Sequence, residues 1–246
     1  SSFAGVVGRM LLEVLVFRSL FRNTKTEKQG EALGVGSAKW LWLGALVFHC
    51  SMLIIVLRHL RFFLEPVPGA IMALEGADAF FQIGLPALYL TDLLIVSALT
   101  FLFVRRVVIP RVRYLSLPND FFPLFLLLGV VIAGIAMRYF FRVDIEGVKE
   151  VAMGLVTLHP VVVAGIGPIF YVHLFLASVL IGYFPWSKLM HAGGIVLSPT
   201  RNQANDSRAV RHVNPWNPDL PVHTYAEYED EFKDKLVKAG LPLDAE

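Results

Sequence analysis

The sequence predicts an all-α integral membrane protein: a bundle of about five transmembrane helices with an extended cytoplasmic C-terminal tail. Hydrophobic residues make up 56% of the 246 residues and the mean hydropathy is +0.62, well above that of an average soluble domain. Five apolar stretches, 3–21, 40–64, 83–109, 121–141 and 161–184, have about the 20 residues that a helix needs to cross the hydrocarbon core. We therefore predict a transmembrane domain over 1–197 and a tail over 198–246.

Charged residues in the connections between these stretches predict their orientation. The first and third connections are basic, whereas the second is mainly acidic and the fourth is mixed. The basic residues are Arg22, Lys25, Lys28 and Lys39 in the first connection and Arg105, Arg106, Arg111 and Arg113 in the third. Because basic loops stay in the cytoplasm, we predict a multi-pass protein of the cytoplasmic membrane with its N-terminus outside and its C-terminus inside.

Four histidines lie in or beside two apolar stretches: His49 and His59 in the second, and His173 and His191 in and just beyond the fifth. An ionisable side chain within a bilayer is costly and usually marks a functional site. Histidines on facing helices commonly hold haem iron from both sides. The predicted helix directions place His59 at the depth of His173, and His49 at the depth of His191. We therefore predict two b-type haems, ligated by His59/His173 and by His49/His191.

The histidine spacing supports this pairing without proving it. His49 and His59 are ten residues apart, a rise of about 15 Å along a helix, whereas His173 and His191 are eighteen apart, a rise of about 27 Å. Both pairs can match in depth only if helix tilt, tilted haem planes or a break at Pro185 compensates for this difference. The single cysteine, Cys50, excludes covalent attachment of haem through a pair of cysteines within this sequence. The alternative function is that of a membrane anchor or transporter whose histidines relay protons or bind a metal ion.

Three cations near the histidines are candidate partners for haem propionates. Arg58 and Arg61 flank His59, and Lys188 lies three residues before His191, where the edges of bound haems would emerge. Cations and carboxylates form strong charge-assisted hydrogen bonds. The alternative is that these long side chains only extend to the membrane surface.

At these residues the chain resembles the gamma-subunit family of respiratory nitrate reductases, the dihaem quinol-oxidising cytochromes b. The matching segments are FHCSMLIIVLRH from residue 48, RRVVIPRVR from residue 105 and HLFLASVLIGYFPWSKLMH from residue 173. The resemblance implies that His49 and His191 ligate the haem nearer the cytoplasm and that His59 and His173 ligate the outer haem. This agrees with the pairing that follows from the charge distribution.

The quinone contacts of that family do not carry over to this sequence. Its quinol site has a lysine near the start of the third helix, where this chain reads GADAFFQIG. Asp78 and Gln82 are the polar residues there, and His159 lies at another outer helix end, so these three are candidate quinone contacts. We expect menaquinol to be oxidised on the outer side and electrons to pass from the outer haem to the inner one. An alternative for Asp78 is an ordinary solvated loop carboxylate.

The polar tail resembles one particular group of cytochrome b subunits. Residues 211–217 and 223–243 look like the tail of the DsrM family, the cytochrome b subunits of the Dsr electron-transfer complex of sulfur-metabolising microbes. This implies a DsrK-like iron–sulfur partner, related to heterodisulfide reductase, on the cytoplasmic face, together with other Dsr subunits. Without an apolar core of its own, the tail should become ordered on a partner. Residues 227–238, EYEDEFKDKLVK, predict a short charged helix. The chain is thus expected to be an electron-transfer component of a multi-subunit oxidoreductase.

Overall fold

The computed structural model describes residues 2–29, 32–79, 86–204, 216 and 221–244. The chain divides into two compact units, Ser1–Ala204 and Asn205–Glu246. The first unit contains the α-helices α1 (Phe3–Val16), α2 (Arg18–Phe21), α3 (Lys39–His59), α4 (Gly69–Asp78), α5 (Leu90–Val108), α6 (Pro110–Tyr114), α7 (Pro118–Ile135), α8 (Ile145–Val156), α9 (Pro168–Tyr183), α10 (His191–Val196) and α11 (Pro199–Asn202). The second contains α12 (Tyr225–Lys238).

Three helical segments are long and apolar enough to cross a membrane: Lys39–Phe62, Pro118–Phe141 and Pro168–Trp186. They extend α3, α7 and α9 by a short 3-10 or π-helical turn. The protein is therefore a mainly helical membrane protein with several apolar helices. The third predicted span corresponds to α5, which has 19 residues and carries Asp92, Arg105 and Arg106 near its ends. A bundle of five spans stays a prediction.

The first apolar stretch differs from the single helix expected. It forms α1, of 14 residues, and the short α2, because Phe17 between them adopts the left-handed conformation with φ 52°. The fifth stretch starts its helix late, at Pro168. Proline suits the first position of a helix because its missing N–H would have no partner there and its φ is already helical.

The long helices pack in the sequence α3, α5, α7 and α9, each against the next. Ile95 and Leu99 of α5 and Leu127 of α7 are the buried centre of this row. Gly44 brings α3 close to α5, because a Cβ at this position would lie 2.5 Å from the Phe101 ring. Among the described residues, α3 and α9, which carry His59 and His173, do not form one of the closely packed pairs.

Two shorter helices occupy the connections on the side of His59. Helix α4 packs on α3, and α8 packs on the 3-10 turn Leu60–Phe62 that follows His59. Asp144 caps α8 by accepting hydrogen bonds from the backbone N–H groups of Glu146 and Gly147. Both helices therefore lie at the end of the bundle that the charge distribution predicts to face outward.

The first connection contains a β-hairpin that the sequence reasoning missed. Strand β1 (Thr24–Gln29) pairs antiparallel with β2 (Ala32–Ser37), with Thr24 opposite Ser37 and Thr26 opposite Val35. Two strands alone are marginally stable in water. Lysines and glycines interrupt the alternation of apolar residues here, so hydrophobic periodicity did not reveal the strands.

The second unit confirms the short charged helix expected in the tail. Helix α12 begins with a capping box, in which the Thr224 hydroxyl accepts from the Glu227 N–H and the Glu227 carboxylate accepts from the Thr224 N–H. Tyr228 packs against Phe232, with 4.9 Å between ring centres. The negative charge of Glu229 raises the pKa of Tyr225. The unit boundary lies after Ala204, whereas the sequence prediction divided the chain after residue 197.

Candidate functional site

His59 and His173 face each other across the gap between α3 and α9. Their ring centres lie 6.3 Å apart and their ring planes differ by 17°. His59 is the last residue of α3, and His173 lies in the second turn of α9. Gly134 of α7 makes room for the second ring, because a Cβ there would lie 3.3 Å from His173 Cε1.

His49 and His191 form a second pair with a different geometry. Their ring centres are 5.7 Å apart and the ring planes are perpendicular, at 90°. His49 lies near the middle of α3, whereas His191 is the first residue of the six-residue α10. The Phe17 ring packs edge-on against His49, with 5.0 Å between ring centres.

All four imidazoles use Nδ1 in the same way. Each Nδ1 lies within hydrogen-bond distance of a backbone carbonyl and, because a carbonyl only accepts, each must carry the proton. The partners are Ala45 O for His49 (2.7 Å), Ile55 O for His59 (2.7 Å), Val130 O for His173 (3.0 Å) and Lys188 O for His191 (3.1 Å). The Nε2 lone pair is left to bind a metal, which is the usual arrangement of a histidine ligand.

The donors and their spacing fit haem ligated by two histidines. Metal–imidazole nitrogen bonds are about 2 Å long and a ring centre lies about 1 Å behind its donor nitrogen, so two axial imidazoles on one iron have centres about 6 Å apart. The observed separations are 5.7 and 6.3 Å. The described residues contain no group of three or more histidine, cysteine, aspartate or glutamate side chains arranged to hold a metal ion; the four histidines meet only in pairs.

Each of the three cations predicted to bind propionates is paired with a carboxylate of the chain. These ion pairs are Arg58 with Asp78 (3.1 Å) and Asp92 (3.3 Å), Arg61 with Glu75, and Lys188 with Asp120 (2.6 Å). The Lys188 side chain is 60% exposed, and such surface pairs contribute little and exchange easily. The Arg58 side chain is only 9% exposed, so its two ion pairs are shielded from solvent.

A buried charged cluster surrounds Tyr89, next to His59. Arg58 and Arg138 lie on Tyr89, with each guanidinium carbon 3.7 Å from the ring centre. Tyr139 donates a hydrogen bond to Asp92 (2.8 Å). Among the described residues, Nε and Nη1 of Arg58 and Nε of Arg138 have no hydrogen-bond acceptor, although Arg58 Nη1 is close enough to Asp78 for an ion pair. Buried N–H groups of this kind are normally satisfied, so the cluster has donors available for an anionic group.

Sequence reasoning missed Asp92 and Arg138 in this cluster. Asp92 lies in the first turn of α5, and Arg138 lies in the π-helical turn Ala136–Phe141 that follows α7. The sequence does contain a pattern that points to them, because both are charged residues within apolar stretches, where ionisable side chains usually have a function.

The three predicted quinone contacts have different surroundings. Asp78 is buried, and it accepts hydrogen bonds from the Thr91 N–H (2.9 Å) and the Thr91 hydroxyl (2.6 Å) in addition to its ion pair. His159 is exposed in the loop after α8 and donates to Thr157 O (2.8 Å). Gln82 lies outside the described residues. No described contact joins Asp78 to His159.

Asp78 and Thr91 also line a cavity of about 390 Å³ between α3, α4 and α5. Most of its walls are apolar, and the other polar side chains that line it belong to Cys50 and Ser51. Ser51 is buried, with 2% of its surface exposed. An apolar cavity with a few convergent polar groups is the usual form of a small-molecule site.

Comparison with known proteins assigns the chain to a family. Residues 6–203 match the family model of the nitrate reductase gamma subunit. The chain belongs to this family. The match confirms the resemblance seen in the sequence and spans all four histidines.

Two archaeal relatives are similar over most of the chain, and both are named Hdr-like menaquinol oxidoreductase cytochrome b-like subunit. The one from Archaeoglobus fulgidus is 51% identical over 220 residues, which is 87% of this chain and 66% of the relative. The one from Archaeoglobus profundus is 41% identical over 220 residues, which is 87% of this chain and 65% of the relative. The chain thus spans slightly less than two thirds of the length of either relative.

Proposed function

We propose that this chain is a DsrM-type dihaem b membrane subunit, which exchanges electrons between menaquinol or menaquinone and a cytoplasmic iron–sulfur partner in dissimilatory sulfur metabolism. The observation that carries the proposal is the arrangement of the four histidines. They meet as two separate pairs, and each Nδ1 lies within hydrogen-bond distance of a backbone carbonyl, which leaves the Nε2 of each ring free to bind a metal. His59 with His173, and His49 with His191, would each hold a haem, and the haems would supply one-electron chemistry.

The chain's own residues would hold and orient the two haems. We call His59 and His173 the outer pair, and His49 and His191 the inner pair, following the predicted orientation. The N–H groups of Arg58 and Arg138 that have no acceptor among the described residues are suitable donors for a propionate of the haem at the outer pair. Lys188 remains a candidate beside the inner pair, because its exposed ion pair with Asp120 can exchange. Arg61 remains a candidate in the same way, since its side chain is 33% exposed.

The quinone would bind on the outer side. The relatives' names include menaquinol oxidoreductase, and the cavity between α3, α4 and α5 has the mixed character that a quinol ring with an apolar tail requires. Asp78, Ser51 and Thr91 supply polar groups to its lining. Gln82 and His159 stay in the proposal as further contacts, and a hydrogen-bond acceptor near the quinol hydroxyl is needed for proton removal.

The partner would dock on the tail. The relatives are named Hdr-like, which supports a DsrK-like iron–sulfur subunit as the electron acceptor or donor on the cytoplasmic face. The capped helix α12 presents aromatic and charged side chains that are largely exposed in this chain. We expect removal of residues 205–246 to release the partner and to leave the haem spectrum unchanged.

Haem quantification in single histidine variants of the full complex tests the haem assignment. We expect two haems b per chain in the natural sequence and one in each of His59→Ala, His173→Ala, His49→Ala and His191→Ala. The first two variants should lose the same haem, identified by its midpoint potential, and the last two should lose the other. His159→Ala is the matched control, because His159 makes the same type of Nδ1 bond and has no ring partner among the described residues. A folded, inserted protein without haem would favour the anchor or transporter alternative.

Cavity-filling variants test the quinone site. Ala77 lines the cavity and Ala73, on the same helix, does not. We expect Ala77→Phe to slow haem reduction by a menaquinol analogue and Ala73→Phe to leave it unchanged. Equal reduction rates in the two variants would place the quinone elsewhere.

A further inference from the structure

Arg9 makes an unusual pair of contacts for a charged residue in an apolar helix. Its Nε donates a hydrogen bond to Arg201 O (3.0 Å) and its Nη2 donates to Gln203 O (2.8 Å). These carbonyls lie in the last turn of α11 and just beyond it, where a helix leaves carbonyl groups without intrahelical partners. The guanidinium thus joins the first helix of the chain to the segment that follows His191.

Arg9 is not paired with the neighbouring acid, Glu13. Arg9 and Glu13 are four residues apart on α1, a spacing that suits an ion pair. Glu13 instead accepts hydrogen bonds from the Ser19 N–H (3.0 Å) and the Ser19 hydroxyl (2.7 Å) and lies 3.7 Å from Arg18. The one-turn pair is therefore not formed, and the described partners of Arg9 are the two distant carbonyls.

His191 needs such support because its own segment is short. After α9 the chain passes through two 3-10 turns, Phe184–Trp186 and Lys188–Met190, before the six residues of α10 and the four of α11. Helices of this length are unstable in isolation. One further tie within the segment is the hydrogen bond from Asn202 Nδ2 to Val196 O (2.7 Å). The position of His191 therefore depends on contacts with the rest of the bundle.

Helix α1 contacts both halves of the inner pair. Its middle packs against α10 and α11, and Phe17, at its C-terminal end, packs against His49. The Trp42 indole N–H donates to Val16 O (2.7 Å), which ties the same end of α1 to the first turn of α3. A single helix thus links the element that carries His49 to the segment that carries His191.

We infer that Arg9 is a positioning residue for the inner pair: its two hydrogen bonds hold the α10–α11 segment on α1, so that the His191 imidazole faces His49. The inference rests on the proposed haem ligation by His49 and His191. A fixed, forked guanidinium can hold two carbonyls at once, whereas a lysine offers a single nitrogen.

Haem content and midpoint potentials of Arg9 variants in the full complex test this inference. In Arg9→Gln we expect the inner haem to be lost in large part, or retained with a shifted potential and altered low-spin spectrum, while the outer haem keeps its natural occupancy and potential. In Arg9→Lys we expect an intermediate change, again confined to the inner haem. Arg22→Gln is the control, because among the described residues the Arg22 side chain makes no hydrogen bond or ion pair, and it should leave both haems unchanged.

Two outcomes would overturn the inference: an inner haem of natural occupancy and potential in Arg9→Gln, or equal loss of both haems. If Arg9→Gln does not accumulate in the membrane, Arg9→Lys decides, and a fully natural inner haem in that variant counts against the role. His191→Ala separates this inference from the proposed function. If His191→Ala retains both haems, the ligation itself is wrong; if it loses the inner haem and the Arg9 variants do not, only the role of Arg9 is wrong.

Discussion

The two histidine pairs use the same donors but are supported in different ways. The rings of His59 and His173 both lie on long apolar helices that the α3–α5–α7–α9 row holds in place, and their planes are nearly parallel at 17°. His49 also lies on a long helix, but its perpendicular partner His191 lies on a six-residue helix beyond the last long span. One pair is positioned by helix packing, and the other by individual hydrogen bonds to a short segment.

This difference predicts which substitutions should disturb each pair. Long apolar helices are held in place by the packing of their side chains. Close to His59 they also enclose ion pairs, and removing one partner of a buried ion pair is strongly destabilising. A short segment held by hydrogen bonds loses about 0.5–1.5 kcal/mol with each ordinary bond that is removed. We therefore expect core and charge substitutions to affect the His59–His173 pair, and substitutions in the chain after Tyr183 to affect the His49–His191 pair.

The largest effect is expected from Arg58→Gln. This change leaves the buried Asp78 and the partly buried Asp92 without their shared cation, and breaking a buried ion pair costs about 3–5 kcal/mol. Thermal unfolding followed at the Soret band should show a marked loss of stability, with the outer haem released first. Lys149→Gln is the control, because its ion-pair partner Glu65 is 66% exposed and the change should cost about 0–1 kcal/mol. Simultaneous release of both haems would contradict independent support of the two pairs.

A smaller effect on the same pair is expected from Gly134→Ala. The added Cβ would lie 3.3 Å from His173 Cε1, and overpacking of this kind typically costs about 1–3 kcal/mol. The potential or occupancy of the outer haem should change in a redox titration, and the inner haem should not. Gly129→Ala on the same helix is the matched control, because its Cβ would be at an ordinary 3.5 Å from Leu176 Cδ1. If both alanine variants have the same effect on the outer haem, the space that Gly134 leaves beside the His173 ring is not important.

Asn202→Ala tests the short segment. Removing the hydrogen bond to Val196 O should destabilise the segment by about 1 kcal/mol, because this bond joins α10 to α11. A shift of the inner haem potential with an unchanged outer potential is the expected result. Asn119→Ala, an exposed asparagine at the start of α7, should change neither. A shift of the outer potential alone would reverse our assignment of the segment to the inner pair.

The smallest effect is expected from Lys188→Gln. The ion pair with Asp120 has a lysine that is 60% exposed, so its contribution is about 0–1 kcal/mol. At low salt the inner haem potential should fall slightly, because a positive charge near the haem is removed. At high salt the variant and the natural sequence should converge, since exposed charges are screened. At about 1 M salt the screening length is about 3 Å. A difference in inner haem potential that persists there would show that Lys188 contacts the haem directly.

Much of the membrane architecture could be predicted from composition and local pattern. The apolar stretches, the four histidines and the charged helix of the tail depend on residues that are near one another in sequence, and the family match confirms the resemblance drawn from their spacing. Periodicity did not predict the break at Phe17, which is a single left-handed residue, or the hairpin formed by β1 and β2. Both depend on backbone conformations with little hydrophobic signature.

What the sequence determined by itself is which segments are apolar enough to enter a membrane and which ionisable residues they carry, because hydropathy and charge belong to each residue independently of the fold. Only the tertiary structure decided which groups those ionisable residues meet. Arg58 could have pointed to a haem edge alone, yet it shares Asp78 and Asp92 and lies on Tyr89. Arg9 could have paired with Glu13, yet it holds two carbonyls 192 and 194 residues away in sequence. Such partners are selected by the packing of distant helices, since a charge in apolar surroundings is stabilised by the hydrogen-bonding groups that the fold brings within reach.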